Sequence, residues 1–137
     1  MRMPALKTSP EQFAAEVARR LDKIVPSGLS VRAEGTSVNV YSATDDRHAS
    51  AGAEIIADQD GRTFAELAQA AAWSILDGAQ DGVMELLREQ WPLGRDGKAV
   101  DAGTRVNGSE LLMWFGDERA PVIALAPLSL DDLDGAA

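Results

Sequence analysis

Residues 63–91 read TFAELAQAAAWSILDGAQDGVMELLREQW, and the fold turns on how this stretch is parsed. It falls in the longest proline-free part of the chain and carries two of the three tryptophans. Thr63 suits an N-cap, and Glu66 three residues later completes a capping box. Asp58 to Gly61 supplies turn chemistry just before it, with negative charge where the helix dipole favours it. At about 100° per residue, Phe64, Leu67, Ala68, Ala71, Ile75, Ala79, Gly82 and Leu86 share one face. Glu66, Asp77, Asp81 and Arg88 lie opposite. This is the stripe of a helix lying on a sheet, and Pro92 is expected to end it.

Two features leave that reading open. Gly78 and Gly82 sit inside the run, each costing about 1 kcal/mol against Ala. Either the helix breaks or kinks at Gly78, or small residues there let it approach a neighbour closely. A second apolar stripe, Trp73, Met84, Leu87 and Trp91 with Gln69 and Gln80 between them, projects away from the first. It holds together only if the helix continues through Gly78. Its cover is either the first helix of the same chain or another chain, since Trp and Met are enriched in interface cores.

Outward from this stretch, Ser9-Pro10 with Gln12 opens an earlier helix. Phe13, Val17, Leu21 and Ile24 are its apolar stripe, and Pro26 stops it. Arg19, Arg20, Asp22 and Lys23 read as its solvated face. Leu29–Ala33 and Val38–Ser42 alternate around a Glu34-Gly35-Thr36 turn, which predicts a hairpin. Its core face is Leu29, Val31, Ala33, Val38 and Val40, and its wet face Arg32, Asn39 and Tyr41. Thr44–Ser50 reads as a polar loop and Ala53–Ala57 as a third strand. After Pro92 a Gly/Asp-rich loop of about fifteen residues is expected, a length often functional or mobile, and Asn107-Gly108 turns into the next strand. Glu110–Phe115 and Val122–Leu128 form a second hairpin around Gly116-Asp117-Glu118. Their consecutive apolar residues predict burial on both faces, one against the long helix and the other under the first helix or a second subunit. The tail from Ser129 is expected to make one helical turn at Leu130–Leu133. The expected class is α+β, in the order α-β-β-β-α-β-β, with an antiparallel sheet against a long central helix. Residues 1–137 are expected to form one domain, with fraying expected at 1–8 and 134–137.

The chain of 137 residues carries a net charge of −9. This argues against nucleic acid and anionic membranes as primary partners. There are no cysteines, hence no thiolate metal site or thiol nucleophile. No apolar h-region or transmembrane run is seen, so a cytoplasmic location is expected. His48, the one histidine, stands in the polar loop beside Asp45, Asp46 and Arg47, with Ser42 and Ser50 nearby. Neither a Ser-His-Asp hydrolase nor a metal site is supported by sequence proximity alone. Asp58–Gly61 fails as a calcium loop, because Ile56 and Leu67 fall at ligand positions. No phosphate-binding glycine motif occurs. No cofactor and no metal are expected.

In element order, size and low pI the chain resembles the type III secretion chaperone-like fold. That resemblance implies a homodimer that binds segments of other proteins on apolar surface. In Gln80-Asp81, Glu85, Trp91-Pro92 and Trp114-Phe115-Gly116-Asp117 it also resembles small uncharacterised actinobacterial proteins, a likeness that brings no function.

The leading expectation is therefore a non-catalytic, acidic, homodimeric module of chaperone-like or adaptor type. Trp73, Met84, Leu87, Trp91, Trp114 and Phe115 are its candidate protein-binding residues, and its acidic rim selects a basic protein. The alternatives are an immunity or antitoxin-like protein neutralising a basic partner, and a small enzyme using the His48 loop or the Gly/Asp-rich loop.

Overall fold

A computed structural model describes residues 10–42, 48–52 and 64–130. The caps at Ser9 and Thr63, the strand expected at Ala53–Ala57, the 58–61 turn and the terminal helical turn beyond Leu130 lie outside the described residues.

The elements are α1 (Pro10–Asp22), β1 (Leu29–Glu34), β2 (Ser37–Ser42), β3 (His48–Gly52), α2 (Phe64–Leu87), β4 (Ala102–Asn107), β5 (Glu110–Asp117), β6 (Ala120–Ala124) and β7 (Leu128–Ser129). The class is α+β, as expected. The strands, however, form two antiparallel sheets, β1-β2-β3 and β4-β5-β6, with β7 also pairing β5. The long helix lies between them, packed on β3 and β2 on one side and on β4 and β5 on the other.

α2 runs unbroken through Gly78 and Gly82. The glycine cost is outweighed because the helix is held by packing along both flanks rather than by propensity. Ala72, Ile75, Leu76, Ala79 and Val83 are fully buried. With Phe13, Val17 and Leu21 of α1, Val38 and Val40 of β2, and Leu111, Met113 and Phe115 of β5, they make one continuous core. The helix ends at Leu87, short of the stop expected at Pro92, so Trp91 lies beyond it and is not part of its second stripe. Arg88 takes a left-handed conformation, φ 59°, and its N–H donates to the Met84 carbonyl at 2.8 Å. That is a terminating αL turn built on a residue other than glycine.

The first hairpin has the expected register, Val31 opposite Val40 and Ala33 opposite Val38. Its other face is less wet than expected. Asn39 is 5% exposed, donating from Nδ2 to Glu34 Oε1 at 2.7 Å and to the Tyr41 hydroxyl at 3.2 Å. Its Oδ1 finds no hydrogen-bond partner among the described residues. Arg32 lies over the Tyr41 ring, 4.1 Å from its centre.

Four other expectations are corrected. His48–Ser50 is strand, not loop. The second half of the 93–107 loop is β4, paired in full with β5. β5 buries Leu111, Met113 and Phe115 but leaves Leu112 and Trp114 only half-covered, and β6 is largely exposed, Val122 at 45%. Consecutive apolar residues thus mark an inner face and an open outer one. Last, Arg20 is not solvated. Its Nε donates to the Ala126 carbonyl at 3.0 Å, its Nη2 to the Pro127 carbonyl at 3.1 Å and its Nη1 to Glu16 Oε1 at 2.8 Å. It ties α1 to the β6–β7 connection. No helix among the described residues is long and apolar enough to cross a membrane.

Candidate functional site

Edge strands expose unpaired backbone groups that must be covered or blunted. The outer edge of β4 is covered by one row of α2. Gln69, Trp73 and Gln80 fall within about 40° of one another around the helix. Gln69 Oε1 accepts from the Val106 N–H at 2.9 Å, and its carbonyl accepts from the Thr104 hydroxyl at 2.9 Å. Trp73 Nε1 donates to the Ala102 carbonyl at 3.2 Å. Gln80 Nε2 donates to the carbonyls of Val100, at 2.5 Å, and Trp91, at 3.2 Å. This side of the helix therefore faces the chain's own second sheet and the loop before it, rather than α1.

This seam sorts the expected binding residues. Phe115 is fully buried, and Trp91 packs on it with ring centres 5.4 Å apart. Leu87 is partly buried against the same core. Met84 is half-buried. Trp73 differs: it is 45% exposed, with its indole N–H bonded to β4. Trp114 is half-buried on the outer face of β5, its Nε1 donating to the Gly116 carbonyl at 3.1 Å.

Trp73 and Trp114 line one open groove of about 650 Å³, with Glu66, Gln69, Ala70 and Ser74 of α2, Gly103 and Thr104 of β4, and Glu118 of the β5–β6 turn. Position 103 must be small, because a Cβ there would lie 2.5 Å from the Trp114 ring. No basic side chain lines the groove among the described residues. Arg105, from the outer face of β4, pairs with Glu118 at its rim, Nε to Oε2 2.5 Å. Beyond Trp73 the same flank of α2 carries Asp77 and Asp81. The Asp77 carboxyl is raised above its ordinary 3.8 by burial and by the charges of Asp81 and Asp101.

A smaller groove of about 400 Å³ shares Trp114 and Glu118 with the first and is lined by Arg105, Leu112, Pro121, Ala124 and Pro127 among others.

For the enzyme reading, His48 sits opposite Tyr41 in the β2–β3 register. Asp45, Asp46 and Arg47 lie outside the described residues. No three His, Cys, Asp or Glu residues gather where a metal ion could be held, among the described residues.

The role of Gly103 and the second groove escaped the sequence reading. A glycine in a Gly/Asp-rich segment signals a loop, and only the three-dimensional partner, Trp114, shows it as a packing residue. No protein family, curated protein or solved structure matches the chain.

Proposed function

We propose that this chain is a non-catalytic, acidic protein-binding module of chaperone-like or adaptor type, whose contact surface is the Trp73–Trp114 groove. The observation that carries the reading is the exposure of Trp73. A tryptophan at 45% exposure, its indole N–H bonded to a backbone carbonyl, lines a groove together with a second indole. Partly exposed aromatics are the residues that dominate protein interfaces. Leu87, Trp91 and Phe115 belong to the core instead, and Met84 lies outside the groove lining.

The open outer face of the second sheet, with Leu112, Val122 and Ala124, supports a homodimer as part of the same proposal. Light scattering at a mass twice 14.6 kDa agrees with it, and 14.6 kDa at micromolar concentration rejects it. The net charge of −9 favours an immunity or antitoxin-like role as the second reading, with a basic protein as the target.

The groove is tested by affinity capture from the native cell with the wild type and with Ser74→Arg. Ser74 is an exposed helical residue on the groove wall, so the substitution fills the groove without touching the core. A partner held by the wild type and lost from Ser74→Arg supports the reading. Identical recovery by both rejects it.

A further inference from the structure

We propose that the groove receives an arginine-bearing segment of another protein, the guanidinium lying against the indole faces with Glu118 as its counter-ion. This rests on the reading of the groove as a protein-binding surface and specifies its occupant.

Four observations select arginine. First, both indole N–H groups are already spent within the chain, on Ala102 and Gly116. What the tryptophans offer a ligand is their π-faces, which attract cations, Trp most strongly of the aromatic residues. Second, the groove carries Glu66 and Glu118 and, among the described residues, no basic lining, in a chain of charge −9. Third, Glu118 already accepts a guanidinium, that of Arg105. Both side chains of this pair are about half-exposed, 52% and 44%, so it is weak and exchangeable. Fourth, α2 lies along the β4 edge, with Gln69 bonded to the Val106 N–H and Trp73 to the Ala102 carbonyl. The helix stands where an added strand would pair, which favours reading an incoming chain through its side chains. A planar guanidinium can stack on an indole and still donate in its plane to a carboxylate, which an ammonium cannot do as well.

Arg105 is then a built-in competitor: an arriving arginine takes Glu118 from it. Arg105→Gln vacates the counter-ion. The added negative charge favours the arginine and lysine peptides alike, so a gain larger for arginine is the mark of the competition.

The experiment uses the full chain and acetylated Gly/Ser nonapeptides bearing three arginines, three lysines or three citrullines. Binding is followed at low salt by the NMR signals of the three indole N–H groups. The arginine peptide is expected to move Trp73 and Trp114 and to leave Trp91 in place. The lysine peptide should bind several-fold more weakly, and the neutral citrulline peptide about tenfold or more weakly. Glu118→Gln should weaken arginine-peptide binding about tenfold, and Arg105→Gln should tighten it about threefold. Equal binding of arginine and citrulline peptides overturns the arginine assignment while leaving the groove a docking surface. So does weaker binding by Arg105→Gln, or movement of Trp91 alone. No shift with any peptide also overturns it; whether the protein-binding reading falls as well is decided separately by Ser74→Arg in the capture experiment.

Discussion

The indole of Trp114 lies so close over Gly103 that a Cβ at position 103 would stand 2.5 Å from the ring. The two residues face each other across the β4–β5 register. The glycine lets the indole approach β4 this closely, because any side chain at 103 would displace it. Gly103→Ala must push the ring outward. It is expected to destabilise the chain by about 1–3 kcal/mol, as overpacking does. Urea unfolding reads the loss, and a changed Trp114 indole N–H signal locates it.

Gln80 is buried and holds two carbonyls, those of Val100 and Trp91, that the helix would otherwise leave without a donor. Gln80→Leu keeps the size and removes the amide. A loss of about 1–3 kcal/mol is expected from the orphaned acceptors. Unchanged stability would mean that water reaches the seam.

Arg88 terminates α2 at φ 59°, where a side chain is strained and glycine is not. Arg88 is exposed, so its removal loses little packing. Arg88→Gly is expected to stabilise the chain by about 1 kcal/mol, seen as a raised thermal midpoint. Arg88→Ala should give no such gain, because alanine keeps the Cβ.

Two carboxylates carry opposite pH signatures. For Glu16, burial works to raise the pKa, but hydrogen bonds from Arg20 and Arg19 outweigh it and hold the group below its ordinary 4.5. Its stabilising contribution is present above that value and is lost as pH falls through the lowered one. Asp77 is raised by burial, then by Asp81 and Asp101. Its charged form weakens the fold above the raised value, and the penalty is gone below 3.8. At neutral pH, Asp77→Asn should therefore stabilise by roughly 0.2–0.5 kcal/mol, the scale of a like-charge pair on a helix. Glu16→Gln should destabilise by a similar order, about 0.5 kcal/mol. Both differences should vanish in acid. Thermal midpoints measured across the acid range check the two signs.

Local chemistry was the legible part of this fold. The Glu34-Gly35-Thr36 turn between alternating strands, and the capped alanine-rich run after it, led directly to the first hairpin and the long helix. What escaped depended on partners distant in sequence. Gly103 reads as loop until Trp114 is seen above it. Arg20 reads as surface until the carbonyls of Ala126 and Pro127 meet it, more than a hundred residues on. The apolar run Leu111–Phe115 looks doubly buried, because composition does not distinguish a covered face from an open one. Of the site, Trp73 and Trp114 were identified as residues, but not as neighbours. Trp91, Leu87 and Phe115 share their apolar character and instead support the core.

The central claim is that another protein chain sits in the Trp73–Trp114 groove. A photo-reactive amino acid placed at Ser74, on the groove wall, and separately at Ala15, exposed on α1, tests it most directly in cells that make the protein. The account predicts a covalent adduct to a second protein from position 74, with the cross-linked peptide carrying arginine, and little or none from position 15. Equal yields from the two positions, or no adduct from position 74, would contradict it.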